Sequence, residues 1–539
     1  MIPLYVFILS PIMIATISYI FKTKYNNIII LICQLILFSC SIIDFIFVKY
    51  NSKLSCVIGN YKKGIGIALE ADTISIVFVM LVIFLFTCML IYNFNKHYMN
   101  NLFLFLFLIL QGLINGIFLS MDLFNLYVLI EVSTLVVSIL IMFKKDSSSI
   151  YDGMIYLFIN IVAMTFFLLG TGYMYKIFGY LDFTTIYDNM HKVKDTKSLI
   201  LPYSLLITAV SLKSAIMPLF SWLPRAHGSH SSPSIVSAIL SGLYVKCGVY
   251  LFIRFQNLFS PAFDTNTIFL IMGFLTAVIG FIFALSQVDI KLILSYHTIS
   301  QIGLIIFGLS LNDIYSHWGS IYHIINHAIF KSVLFLTAGI IIEEYETRDI
   351  RQIRGVYKRM PFVSIYTFIA ILGITGAPFF NGSISKYLIQ KGSYSGILDY
   401  GLIFINLGTI LSFVKYLSMF KGTYTGKKYS PPINQKIAIS LLGTLCFLGG
   451  IFGIRLIKLL FNISLLITFD GYLIKSILYI FSIILGILFY KFIYNKIKIF
   501  NHIREINLSF NQICLTITVY FSAILITMMT LHRIGLISI

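Results

Sequence analysis

Apolar residues in this chain gather into runs of about 20, the length an α-helix needs to cross the hydrocarbon core of a bilayer. Sixteen such runs are predicted as membrane helices: 2–21, 27–48, 73–92, 101–120, 123–143, 153–178, 199–221, 233–255, 267–286, 291–311, 316–342, 361–389, 398–420, 434–460, 472–494 and 513–531. The polar stretches between them reach about 25 residues at most, so no soluble domain is inserted. The first run follows Met1 without a basic n-region or a small-residue cleavage site, and is expected to stay as a helix. The Gly- and Lys-rich stretch 49–72 is expected to form a small hairpin over the outer face. In 494–511, Ile497, Ile499, Phe500, Ile503 and Ile506 alternate with basic residues as in a short interfacial amphipathic helix.

Two runs are interrupted. In one, Pro218 follows Lys213 by five residues and leads into SWLP; in the other, GITGAPFFNGS precedes Lys386. Irregular backbone at membrane depth is tolerated where it lines a cavity, and breaks in two halves point to inverted repeats around an ion site. Residues 101–255 and 267–420 hold five spans each, an odd number, as opposite topologies require. By spacing, the interrupted span counts fourth in the first half and third in the second. The expected architecture is a single all-α polytopic membrane domain over 1–539. It comprises N-terminal helices (1–100), two five-helix repeats (101–255 and 267–420) and C-terminal helices with the amphipathic segment (434–539).

Ionisable residues fall near the middle of five spans: Glu131; Lys213; Lys246; His323, His327 and Lys331; and Lys386. A charge at mid-bilayer costs about 3 kcal/mol on insertion scales, so a series of them implies an ion or proton route. His323, His327 and Lys331 recur every four residues and share one helix face. Burial disfavours a lysine's charged form and a nearby carboxylate favours it. Lys213 opposite Glu131 is therefore expected to act as a switch, with a direct contact of about 4 Å worth roughly 4 kcal/mol. Lys246 and the histidine face are expected to relay protons and Lys386 to stand at the exit, since imidazole exchanges protons near neutral pH. His297 is a further candidate, with Ser295, Ser300 and Gln301 as its expected partners. Lys415 is expected to snorkel toward the Lys421–Lys428 side.

Composition agrees with lipid as the solvent: 59% of the 539 residues are hydrophobic, only 11% are charged, and mean hydropathy is +0.94. The net charge of +19 is spread over loops rather than gathered in one patch, which argues against nucleic acid. Of 39 Lys and Arg, 20 lie in loops on one side and 14 on the other, and the remaining five, Lys415 among them, lie within spans. That bias predicts the 20-charge side in the cytoplasm and both termini outside. The seven cysteines are scattered without metal-ligand spacing, and no nucleotide-binding or nucleophile motif is present. No cofactor or metal is expected on this chain.

The stretches SLKSAIMPLFSWLPRAHGSHSSPSIVSAILSGLYVKCGVYLFIR, DIKLILSYHTISQIGLIIFGL, HIINHAIFKSVLFLTAGIIIE and GAPFFNGSISKYLI resemble the antiporter-like subunits of respiratory complex I, Mrp-type cation/proton antiporters and membrane-bound hydrogenases. The resemblance covers about residues 70–420, a 14-helix core, and DLFNLYVLIE places the family's helix-5 glutamate on Glu131. It puts the helix-7, helix-8 and helix-12 lysines on Lys213, Lys246 and Lys386, and the second-half His/Lys group on His323, His327 and Lys331. His297 and the pair Lys213 and Lys246 resemble Mrp D-type and hydrogenase-type subunits most. The resemblance implies a proton-translocating subunit of a multisubunit energy-coupling complex in a bacterial or archaeal plasma membrane, with other membrane subunits and lipid as partners and Na⁺ exchange open. Such a subunit sits in an NADH:quinone oxidoreductase-like, hydrogenase or Mrp assembly and carries no redox site itself. The alternatives are a stand-alone secondary transporter and a non-pumping structural subunit.

Overall fold

The computed structural model describes the chain apart from residues 22–24, 63, 95, 97, 229–231, 394–395, 425 and 537–539, and apart from the side chains of Asn60 and Asn495. Lys22, Lys24 and Lys63 of the charge count, and residues 229–231 of the quoted motif, lie outside the described residues. The chain opens with α1 (Val6–Ile20) and α2 (Asn26–Asn51), then a hairpin of β1 (Lys53–Val57) and β2 (Ala68–Asp72). These strands pair antiparallel from Lys53 opposite Asp72 to Val57 opposite Ala68, where the sequence led us to expect a hairpin. Next come α3 (Thr73–Asn93), α4 (Asn101–Leu119), α5 (Leu123–Ile141), α6 (Ser147–Phe178), α7 (Phe183–Met190), α8 (Ile200–Lys213), α9 (Trp222–Gly228), α10 (Ser234–Ile239) and α11 (Val245–Phe259). The second half runs through α12 (Asn266–Ser286), α13 (Ile290–Leu309), α14 (Ile314–Tyr345), α15 (Val356–Arg359), α16 (Pro361–Thr375), α17 (Asn381–Lys391) and α18 (Gly396–Tyr416). It is followed by α19 (Ile433–Ile451), α20 (Gly453–Phe461), α21 (Phe469–Phe492), α22 (Ile499–Glu505) and α23 (Phe510–Ile534). Among the described residues, 13 helices are long and apolar enough to cross a membrane.

Short polar residues set the helix starts. Asp72, Asn100, Asp122, Asp289 and Asp313 each accept a backbone N–H of the first turn that has no partner within its helix. The two breaks are real. α8 stops at Lys213, and the carbonyl of Leu212 is taken by the Trp222 indole N–H at 2.7 Å. α16 stops at Gly376, whose φ of +80° is left-handed and favours glycine. The interrupted helix is fourth in both repeats, correcting the count of third for the second one. The α12, α13 and α14 helices all precede the pair α16/α17, as α4, α5 and α6 precede α8/α9.

A shift of 167 residues superposes the first three spans of one repeat on those of the other. It carries Ser147–Phe178 onto Ile314–Tyr345, 32 residues each, and the bridged pair Asp122 and Asp182 onto the bridged pair Asp289 and Asp349.

The described residues form two compact units, Met1–Ser232 with Tyr244–Thr265 and Ser509–Ile539, and Pro233–Leu243 with Asn266–Leu508. The stretch 434–539 is divided between them. In the first unit α23 packs on α8 and α6, with Tyr520 donating to Ser211 Oγ at 2.8 Å. In the second unit α21 packs on α18, and the segment after it docks on the end of α12. There, Tyr494 and Arg504 donate to the carbonyls of Leu285 and Ser286 at 3.0 and 2.9 Å. Only one face of the amphipathic segment is used: Phe500, Ile497 and Ile503 pack against Phe281 and Leu285, while Ile499 and Ile506 stay exposed.

Lys415 does not snorkel. It is buried, and its Nζ donates to the carbonyls of Ala284, Leu285 and Gln287 at 2.9, 2.7 and 2.5 Å. The last carbonyls of α12 lack partners within the helix and carry its negative dipole end, so a nearby lysine is drawn there rather than to a distant loop.

Candidate functional site

In the first unit the site is built on the end of α8. Lys213 is its last residue, 5% exposed, and its Nζ donates to Thr134 Oγ1 at 2.6 Å and to Tyr244 OH at 3.5 Å. Tyr244 also contacts Ser133 and Thr134 at 3.1 and 3.2 Å, so one tyrosine hydroxyl ties α5 to the lysine. It sits in a widened π turn, Leu240–Tyr244, a local defect frequent at functional sites. Lys246 follows two residues on, buried in α11. Gly248, two residues further again, lets the backbone of the break come close: a Cβ there would meet Ser214 N at 2.5 Å and the Lys213 carbonyl carbon at 2.6 Å.

Glu131 is not in direct contact with Lys213, a correction to the expected salt bridge. Lys213 bonds Thr134, one turn along α5, and Glu131 senses its charge through space. The reason is the helix face: Glu131 lies beside Phe124, Val128 and Leu135, which this chain leaves exposed, while Ser133 and Thr134 point inward. Glu131 is half-buried, and its Oε2 is enclosed without a hydrogen-bond partner among the described residues.

In the second unit, His323, His327 and Lys331 line one face of α14, all 0% exposed. The Nδ1 of His323 meets Ser385 Oγ at 2.8 Å and its Nε2 meets Gln301 Oε1 at 3.0 Å. His327 follows, with 6.4 Å between the ring centres. Lys331 Nζ donates to the Leu294 carbonyl at 2.5 Å. Lys386, 7% exposed, donates to the Ile374 carbonyl at 2.7 Å and to Asn406 Oδ1 at 2.8 Å. Ile374 stands in the last turn of α16, so the helix break itself supplies the acceptor.

The expected partners of His297 are not the ones it uses. Its Nε2 meets Ser412 Oγ of α18 at 2.7 Å and its ring stacks on Phe413 at 4.4 Å. Ser300 instead donates to the Ala277 carbonyl, and Gln301 binds His323 and Thr409. His297 thus bonds Ser412 of α18, while Gln301 bonds Thr409 of the same helix and His323, whose other nitrogen meets Ser385, the residue before Lys386. His297 also senses the charges of Lys331, Lys415 and Lys386.

Several parts of the site escaped the sequence reading. Thr134, Tyr244, Gln301, Ser385 and Asn406 are neutral, and nothing in their spacing marks them. Lys475 has a clearer signal, a lysine just inside the span 472–494, but so near the start of the span it reads as boundary charge. It is half-buried, and its Nζ donates to the Ser383 carbonyl at 2.6 Å. Among the described residues, no group of three or more His, Cys, Asp or Glu is placed to hold a metal ion.

Residues 120–412 match the family described as NADH:quinone oxidoreductase/Mrp antiporter, TM. The D-type subunit of the Na(+)/H(+) antiporter of Alkalihalophilus pseudofirmus is 32% identical over 347 residues, 62% of this chain and 69% of that protein. Among solved structures, a chain of the Mrp complex from Dietzia sp. DQ12-45-1b superposes with a TM-score of 0.79 at 20% identity, over 90% of this chain and 99% of its own length. A chain of the membrane-bound sulfane sulfur reductase, an archaeal respiratory membrane complex, gives 0.79 at 22% identity with the same coverage.

Proposed function

This chain belongs to the NADH:quinone oxidoreductase/Mrp antiporter membrane family, and from that premise we propose that it moves protons as one membrane subunit of a multisubunit cation/proton antiporter. The observation that carries the reading is the state of the two lysines at the helix breaks. Both are buried, and among the described residues neither has a carboxylate within ion-pair distance; hydroxyl, carbonyl and amide oxygens hold them instead. A hydroxyl accepts from an ammonium and donates to a free amine, so Lys213 keeps hydrogen bonds to Thr134 and Tyr244 in either protonation state. A salt bridge would fix the charge; this arrangement lets it come and go.

In the first unit Glu131 supplies the carboxylate whose charge biases Lys213, and Lys246 is the next carrier. In the second, His323, His327, Lys331 and Lys386 carry the proton, with His297 a further candidate on α13. A carboxylate on an apolar helix face at bilayer depth needs cover, and a neighbouring membrane subunit against α5 supplies it. Exchange for Na⁺ is a property of that assembly, as the name of the Alkalihalophilus relative has it. The loop-charge bias supports cytoplasmic loops at 348–359 and 421–436 and both termini outside.

The test is Lys213→Ala in the assembled complex, with transport read as Na⁺-driven pH change in everted vesicles. Transport is expected at background with every subunit still co-purifying. Wild-type transport in that variant would defeat the assignment.

A further inference from the structure

We propose that Lys475 is a proton carrier in its own right, set between the small cavity at Lys386 and a larger, more open vestibule. The inference rests on the proton-translocating reading of Lys386 given above. A cavity of about 40 Å³ is lined by Lys386, Asn406, Lys475 and Ser482. That is room for water, which needs about 10–15 Å³ of such space per molecule and polar partners on the walls. A second, open cavity of about 320 Å³ is lined by Lys475, Lys391, Ser393 and Asp399. Gln390, Lys475 and Leu478 line both. The lysine therefore stands where the small cavity at Lys386 meets the larger one.

Holding α21 in place does not require this lysine. Tyr472 OH already bonds Ser383 Oγ at 2.5 Å and accepts from the Phe379 N–H at 3.2 Å, one turn before Lys475. Around it Leu473, Ile474 and Ile477 are exposed, so α21 presents a lipid-facing surface on which a lysine is costly. Lys475 also senses the charge of Lys386. Like charges repel strongly in so small a space, so a proton arriving on one favours release from the other, as a relay needs.

The transfer conserves protons. An Nζ–H bond of Lys386 breaks as cavity water takes the proton, and that water gives one up to the free amine of Lys475. The new ammonium then releases a proton to vestibule water, and Lys475 returns to the amine.

Three replacements in the assembled complex separate carrier from anchor. In K475M, transport is expected to fall about ten-fold or more, within the range that positioned proton-transfer groups contribute. K475R is expected to fall as far, since a guanidinium bonds carbonyls but does not release its proton. K475H, which can titrate, is expected to keep most of the transport. Full transport in K475R would make Lys475 an anchor and overturn the proposal. A readout independent of transport is K475C on a background lacking the seven native cysteines: an impermeant cationic thiol reagent is expected to modify it from one membrane face. Failure to react from either face would remove the vestibule. K386M is run alongside: wild-type transport there overturns the Lys386 assignment together with this one, whereas a dead K386M beside a normal K475M overturns Lys475 alone.

Discussion

The two repeats share a backbone plan and differ in chemistry at matched positions. The 167-residue shift carries Thr134 onto Gln301, Tyr156 onto His323, Asn160 onto His327 and Met164 onto Lys331. In the first repeat this place is filled by hydroxyls and a tyrosine around a single lysine at the break. In the second it is filled by two imidazoles and an extra lysine. Glu131 maps to Thr298, beside His297, so only the first repeat keeps an acid in its second span. The lysines also sit on opposite sides of their breaks: Lys213 ends the half-helix before it, whereas Lys386 follows and reaches back to the half-helix before. One scaffold therefore holds a lysine among hydroxyls, with a carboxylate nearby, in one half and buried imidazoles with an extra lysine in the other. The hydrogen-bonding side chains, not the helices, make the difference.

The comparison is broken most directly by giving the second repeat the first one's group. H323Y keeps an aromatic ring at the position, but phenol exchanges its proton near pH 10 rather than near neutrality. Transport is expected to fall about 100-fold, measured as vesicle pH change; a loss under three-fold would show that the imidazole is not a carrier. Next is G248A, where the added methyl meets backbone at Lys213 and Ser214. Strain of about 2 kcal/mol is expected, seen as a lower thermal midpoint of the purified complex; an unchanged midpoint would mean that the break relaxes freely. T134V removes the hydroxyl that accepts the Lys213 hydrogen bond while keeping its shape. It is expected to cost about 1 kcal/mol of that interaction, a several-fold loss of transport, with Q301L as its counterpart in the second repeat.

The smallest effect belongs to a loop. Asp349 is bonded to Arg351 Nε and NH2 at 3.0 and 2.6 Å, which holds its carboxyl below the ordinary carboxylate range. Arg351 is 63% exposed, so R351A is expected to cost only about 0.5 kcal/mol. A lowered carboxyl contributes stability above its unfolded pKa and loses it as pH falls through the folded one. The gap between R351A and the parent should thus be constant from neutrality to about pH 5 and close below about pH 3. A gap that widens in acid would contradict the pairing.

Much of this was legible beforehand. All sixteen apolar runs hold helix, with the interrupted ones broken where Pro218 and the Gly376–Pro378 stretch lie, because apolar length and backbone-disrupting residues are local properties; the run 434–460, expected as one span, also divides, at Phe452. The hairpin at 53–72 was equally readable. The partners of the charged groups were not. Lys213 and Glu131 lie on spans that meet, yet the face of α5 decides that Thr134 receives the lysine. His297 looks to Ser412, 115 positions away, rather than to hydroxyls on its own helix, whose side chains point elsewhere. Lys475 went unread because a lysine near a span's start resembles a loop residue until the neighbouring helix is placed beside it.

What the chain determines alone is where it crosses the membrane, where it breaks, and which residues carry charge into apolar surroundings. Those follow from transfer free energy and backbone covalency, which each segment has before it meets another. Which oxygen each amine finds, and whether an acid faces the interior or the edge, follow from helix rotation and long-range packing. Tertiary structure decides these, because a hydrogen bond is set by angstroms and no residue specifies its own distance to a residue a hundred positions away.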